Sequence, residues 1–126
     1  MRYLLDSTFS IDFLRGRPDA TDRMWRLVAA GDDPYISDVV LCELATGIRE
    51  AERPALEAFV AGVEFVQPGP ETARQAGLWR GAAQRRGETL SVPDALIAAT
   101  AEALRATVIT RNRRDFALTP IAVEGY

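Results

Sequence analysis

The chain contains no histidine, no lysine and a single cysteine, Cys42. Without histidine there is no Ser-His-Asp or Cys-His catalysis, and no metal site that relies on imidazole. Without lysine there is no Schiff-base chemistry and no P-loop. One cysteine cannot build an intramolecular disulfide framework. Long apolar runs are also missing, since charges interrupt them before the roughly 20 residues that span a bilayer. The opening MRYLLDSTFS has no signal-peptide h-region, so a cytoplasmic protein with no membrane partner is expected. All fifteen basic residues are arginine, a bias that codon usage explains without a functional demand. Chemistry is left to carboxylates, hydroxyls, arginines and an oxygen-loving metal.

What is present describes one folded domain over residues 1–126. The 48% of hydrophobic residues are spread along the whole length, which argues against disorder. A net charge of −3 argues against coating nucleic acid through bulk positive charge. It does not exclude a nucleic-acid enzyme, because a cation held by carboxylates reverses their local sign. Arg85, Arg86, Arg111 and Arg113, with Arg105 and Arg114, are candidate phosphate contacts. Each, taken alone, reads equally as part of a solvated face.

Short apolar strand candidates alternate with helical patterns. RYLLD reads as a strand ending at Asp6, and FSIDFLRG as a short helix stopping near Gly16 and Pro18. Residues 20–30 place Met24, Leu27 and Val28 on one helical face that ends at Gly31. PYIS is a strand, with Ser37 or Asp38 capping a helix over VVLCELATGIRE. PALEAFVAG is helical and VEFVQP strand-like; residues 70–86 form an amphipathic helix begun by proline and closed by Gly87. Pro93 to Leu104 is too apolar to be a surface helix. Residues 107–110 form a β-branched strand, RNRRDF a turn, and IAVEGY a last edge strand. The pattern is α/β with a mainly parallel sheet of four to five short strands.

In such sheets ligands collect beyond the carboxyl ends of the strands. Asp6 ends the first strand, Asp115 follows the strand that stops at Thr110, Glu43 lies in the helix after the second strand, and Asp94 opens the apolar helix. Taken singly, Asp6 and Asp94 read as well as helix-starting carboxylates, Glu43 as a solvent-facing residue, and Asp115 as a turn residue. Together they suit a divalent cation, which offsets their mutual repulsion. Such a set supports metal-assisted phosphodiester hydrolysis without histidine or lysine. Receiver and haloacid-dehalogenase-type sites also gather acids, but both need a lysine.

LLDST, Glu43 within VVLCELATGI, PDALIAATA, and VITRNRRDF resemble, in order, the four motifs of PIN-domain ribonucleases. More narrowly the chain is similar to VapC-type toxins of bacterial toxin–antitoxin pairs, from Tyr3 to about Phe116. The resemblance implies a three-layer α/β/α sandwich and a Mg²⁺ or Mn²⁺ site. It implies Asp6 and Asp94 as principal ligands, with Glu43 holding the metal or its water. Thr8 and Thr110 would support them. Asn112 stands where some relatives carry Asp, so Asp115 or Asn112 fills the fourth position. The resemblance further implies an RNA substrate, a homodimer and a VapB-type antitoxin lying over the first helices, near Phe13, Trp25 and Leu27. Core packing is the competing reading of those three, favoured for Leu27 and open for Trp25. A non-catalytic PIN-fold binding module and a DNA-directed nuclease are the alternative functions; the length leaves little room for the latter's DNA-guiding element.

Overall fold

The computed structural model describes residues 1–126. In chain order the elements are β1 (Arg2–Leu5), α1 (Ser7–Leu14), α2 (Pro18–Ala29), β2 (Asp33–Ser37), α3 (Asp38–Gly47) and α4 (Arg53–Gly62). They continue with β3 (Glu64–Val66), α5 (Pro70–Arg85), α6 (Val92–Leu104), β4 (Thr107–Ile109) and β5 (Val123–Glu124). Short 3₁₀ turns cover Glu50–Glu52 and Arg113–Phe116. The five strands form one sheet in the order β3-β2-β1-β4-β5, and every neighbouring pair is parallel. Helices α1, α2 and α4 pack together and onto β2 and β3, while α6 lies on β1 and β4 with α5 against it. This is the expected α/β/α sandwich.

The strands are short, and the three central ones carry the chain through the core. Leu4 and Leu5 of β1, Ile36 of β2, and Val108 and Ile109 of β4 are fully buried. They meet Phe9, Leu27, Val40, Leu44 and Ile97 from the helices. A second, smaller cluster joins Ala76 and Ala83 of α5 to Ala95 and Ala99 of α6, with Leu90 between the helices. Alanines on both sides let the two helix backbones approach closely. That seam explains why the PDALIAATA stretch is buried on most sides: Ala95, Ile97, Ala98, Ala99, Thr100 and Ala101 are all inaccessible.

Two local expectations need correction. Pro18 begins α2 instead of ending α1, since its fixed φ suits a first helical turn. Val28, expected on one helical face with Met24 and Leu27, parts from them: those two are buried, while Val28 is 52% exposed and lines an open apolar surface with Trp25. Three chain reversals, at Gly16, Gly31 and Gly87, have positive φ, and each follows a helix at a place where the sequence marked a stop.

The packing predicts a sharp contrast between two apolar residues. Ile97→Ala, in the fully buried part of α6, is expected to lose about 2–5 kcal/mol. Leu78→Ala, on the exposed face of α5, should change stability by no more than about 0.5 kcal/mol. Urea unfolding followed by circular dichroism measures both.

Candidate active site

The order of the sheet reverses at β1, whose neighbours β2 and β4 are reached by connections leading in opposite directions. The crevice beyond the carboxyl ends of β1 and β4 is therefore a topological switch point, where open α/β sheets bind ligands. The first residue after each strand, Asp6 after β1 and Thr110 after β4, is buried. The backbone N–H of Asp6 donates to the carbonyl of Ile109 at 3.0 Å, which extends the β1–β4 ladder into the site.

Asp6 occupies the position of a helix cap before α1, but its carboxylate makes no capping bond. Its Oδ2 instead accepts hydrogen bonds from the hydroxyls of Thr110 at 2.7 Å and Thr8 at 3.0 Å. The two hydroxyl oxygens lie 3.1 Å apart. The hydroxyls are themselves fixed by the next loop. Arg111 N–H donates to Thr8 Oγ1 at 3.1 Å, and Asn112 N–H to Thr110 Oγ1 at 3.0 Å. Asn112 thus meets the site through its main chain, a role its amide side chain does not affect.

Glu43 reaches the crevice from α3, which starts where Ser37 Oγ accepts a hydrogen bond from the N–H of Val40 at 3.4 Å. Asp94 stands in the first turn of α6. There Ser91 Oγ accepts from the Asp94 N–H at 3.2 Å, so Ser91 and not Asp94 caps the helix. Both carboxylates are half-buried.

The electrostatics report that these acids share one field. Asp6, Glu43 and Asp94 all have carboxyl groups raised above their ordinary values, and desolvation by burial is the main cause in each. Hydroxyls of Thr110 and Thr8 at Asp6, Ser7 at Glu43 and Ser91 at Asp94 oppose the rise. Repulsion adds to it: Asp115 acts on Asp6 and Asp94, Asp6 acts on Glu43 and Asp94, and Asp94 acts on Glu43. Asp115, exposed on the last 3₁₀ turn, is therefore the fourth carboxylate of this field.

The donor set suits a hard cation in chemistry: oxygen ligands, partly buried, destabilised by their own charge. As placed, no three of them converge on a single point closely enough to hold an ion by themselves. Mg²⁺ is commonly bound through one or two carboxylates with waters filling its octahedron, so the set fits that ion without a closed protein cage.

Sequence reasoning missed a second polar network beside the first. Asp12, buried in α1, accepts two hydrogen bonds from Nη1 of Arg111, at 3.0 and 2.9 Å. It also accepts one from the hydroxyl of Tyr126 at 2.5 Å. The Tyr126 hydroxyl lies 3.3 Å from the carbonyl of Thr8, and its ring packs edge-on against Phe9 with centroids 4.9 Å apart. A carboxylate set between Ile11 and Phe13 in an apolar helix was the available signal for Asp12. Nothing in the sequence pointed to Tyr126.

Among the expected RNA contacts, Arg111 is tied to Asp12 with its side chain 48% exposed. Arg86 pairs with Glu88 at 3.0 Å, and Arg113 lies against Gly125. Arg85 is exposed on the last turn of α5. Arg85 and Arg86 are thus on a separate helix end from Arg111 and Arg113, which flank the acids.

Comparison with known proteins follows the same lines. The PIN-domain family model matches residues 3–121. The chain belongs to the PIN-domain family. Within this family it is similar to Ribonuclease VapC19 of Mycobacterium tuberculosis, at 37% identity over 93% of this chain and 94% of that protein. Ribonuclease VapC10 of the same organism is 36% identical over 98% and 96%. Among solved PIN structures, VapBC2 from Rickettsia felis bound to a DNA fragment from its promoter superposes with a TM-score of 0.87. It is 26% identical, with 100% and 99% of the two chains covered. VapBC-1 from nontypeable Haemophilus influenzae, 24% identical with a TM-score of 0.83 over 99% and 98%, shares the fold.

The raised carboxyl group of Asp94 gives this PIN domain a pH signature in metal-free buffer. Between its unfolded and folded values the native state holds the extra proton, so stability contributed by the neutral form is lost as pH rises. Asp94→Asn is therefore expected to raise the melting temperature at pH 7 in EDTA. The difference should shrink as pH falls towards about 4, the unfolded carboxyl range. Thermal melts of both proteins across that interval would reveal a constant or reversed difference if the charge were not strained.

Proposed function

We propose that this VapC-type nuclease is a Mg²⁺- or Mn²⁺-dependent endoribonuclease, acting as the toxin of a toxin–antitoxin pair. The observation that carries the reading is the shared field of Asp6, Glu43, Asp94 and Asp115 at the switch point of the sheet, with Asp6 held by two threonine hydroxyls. The names of the VapC relatives support RNA as the substrate.

A bound cation would polarise a phosphoryl oxygen, ease deprotonation of an attacking water and stabilise the leaving oxygen. Asp6 and Asp94 are the residues to hold it, with Glu43 at its water. The protein's own contribution is positional. Thr8 and Thr110 restrain Oδ2 of Asp6, so the carboxylate keeps one orientation while it awaits its ligand. Glu43, partly desolvated and raised, accepts a proton more readily than an exposed glutamate, which suits it to orient and deprotonate water.

Two surfaces suit the remaining partners. An apolar groove of about 230 Å³ lies between α1, α2 and α4, lined by Phe13, Met24, Trp25, Val28, Phe59 and Val63. Trp25 is 66% exposed there, whereas Leu27 is fully buried beneath. The groove suits an apolar antitoxin segment of VapB type, and the VapBC structures that share this fold support the assignment. A second apolar hollow runs between α3 and α6, along Val39, Cys42, Val92, Pro93 and Leu96, with Glu43 at its rim. It suits the contact face of a homodimer, placing a second copy beside each site.

Purified protein free of antitoxin should cut RNA with Mg²⁺ or Mn²⁺ and not in EDTA. Asp6→Ala and Asp94→Asn should abolish cutting with the fold retained, and Thr110→Val should reduce it about 10–100-fold. Gel assays on matched RNA and DNA substrates decide the reading; full activity in Asp94→Asn would sink it in favour of a binding module. Separately, Trp25→Glu is expected to leave RNA cleavage unchanged and to prevent co-purification with the antitoxin when both are expressed together.

A further inference from the structure

A cleft of about 290 Å³ opens beside the carboxylates, between α1 and α3. Ser7, Thr8 and Glu43 line it together with Arg15 and Arg111. Glu43 and Thr8 both belong to the acidic site, so the cleft is continuous with it. The volume is close to the roughly 300 Å³ at which small-ligand pockets begin, and the opening is to solvent. One nucleotide unit matches that scale; a folded helix does not.

The two arginines share an unusual preparation. Nη1 makes all the side-chain hydrogen bonds of Arg111, both to the buried Asp12, leaving Nε and Nη2 without a protein partner. Arg15 uses Nε at 2.9 Å and Nη2 at 3.3 Å on Glu52, leaving Nη1. Each side chain is thus held by a carboxylate, keeps N–H donors unused, and belongs to a residue that lines the cleft. A guanidinium fixed in advance loses little conformational entropy on binding, and its planar fork matches phosphate oxygens. The acidic end of the cleft repels a bare anion, but a nucleic-acid strand presents its phosphates at regular intervals. The one at the carboxylates is handled by the cation, and its neighbour falls to the arginines.

We propose that Arg15 and Arg111 form a clamp for the phosphate adjacent to the one that is cut, setting the register of single-stranded RNA across the carboxylates. The clamp rests on the nuclease reading given above. It adds Arg15, which nothing in the sequence had distinguished, and it gives Asp12, Tyr126 and Glu52 a common task as braces.

Arg15→Gln is the cleaner test, because Glu52 keeps the backbone N–H of Arg49 at 2.8 Å and its guanidinium at 3.7 Å as partners. Binding is measured in the Asp94→Asn background with Mg²⁺, by anisotropy of a short labelled single-stranded oligoribonucleotide of mixed sequence. Arg15→Gln should weaken binding about tenfold, the scale of one charge-assisted hydrogen bond. The slope of log affinity against log salt should become shallower by about 0.7, the increment for neutralising one phosphate of a single strand. Arg74→Gln, which removes the same charge on α5, should do neither. In the cleaving protein, KM should rise with kcat little changed. RNA binding that Arg15→Gln leaves at the Arg74→Gln level overturns the clamp and leaves the nuclease reading standing. Loss confined to antitoxin association, with RNA binding intact, also overturns it. No RNA binding or cleavage by any of these chains removes both readings together.

Discussion

The structure turns on one buried carboxylate. Asp6 is pulled out of water at the junction of β1 and β4, where burial disfavours its charge and the charge of Asp115 disfavours it further. Left there without partners it would strain the fold. Thr8, in the first turn of α1, and Thr110, just after β4, direct their hydroxyls to one of its oxygens, and the main chain of Arg111 and Asn112 directs those hydroxyls. The whole edge of the sheet is organised around keeping a charge where the chain alone would not put one. Such arrangements are characteristic of sites whose function needs the charge more than the fold does.

The remaining acids reach Asp6 by different routes, and the routes explain the lengths of the elements. Ser37 starts α3 so that Glu43 arrives from within that helix, and Ser91 starts α6 so that Asp94 stands in its first turn. Neither acid is used as a cap; a serine does that work at both helices. This separates local helix-starting chemistry from the site's chemistry and frees both carboxylates. The apolar body of α6 then anchors Asp94 against repulsion through the alanine seam with α5. A loop-borne carboxylate in the same place would be pushed outward by its neighbours.

Much of this was readable from the residues. Strand and helix alternation gave the parallel sheet, because hydrophobic period and stop residues are local properties. Asp6, Asp94 and Asp115 stood out because each followed or opened an element, and Glu43 because it lay in the helix after the second strand; the absence of histidine and lysine narrowed their use. Other features were not legible for physical reasons. Whether Asp6 capped α1 depended on a threonine more than a hundred residues away. The surface position of Val28 depended on which flank of α2 the groove with α4 leaves open, which periodicity alone does not say. The ties of Asp12 to Arg111 and Tyr126 join the first helix to the last loop and to the final aromatic residue, and no local pattern carries such a pairing.

The ties of Asp12 to Arg111 and Tyr126, of Asp6 to Thr110 and of Thr8 to Tyr126 span 99, 114, 104 and 118 residues. Contacts so distant in sequence form late, since the loop they close must be ordered before they return any stabilisation. On a ribosome, α1 to α4 can gather around β1 and β2 while β4 and Tyr126 are still unmade. Until that last stretch emerges, Asp6 lacks Thr110 and Asp12 lacks both of its donors. The acids at the crevice thus take up their final geometry only after the segments that lie farthest from them in sequence have been made.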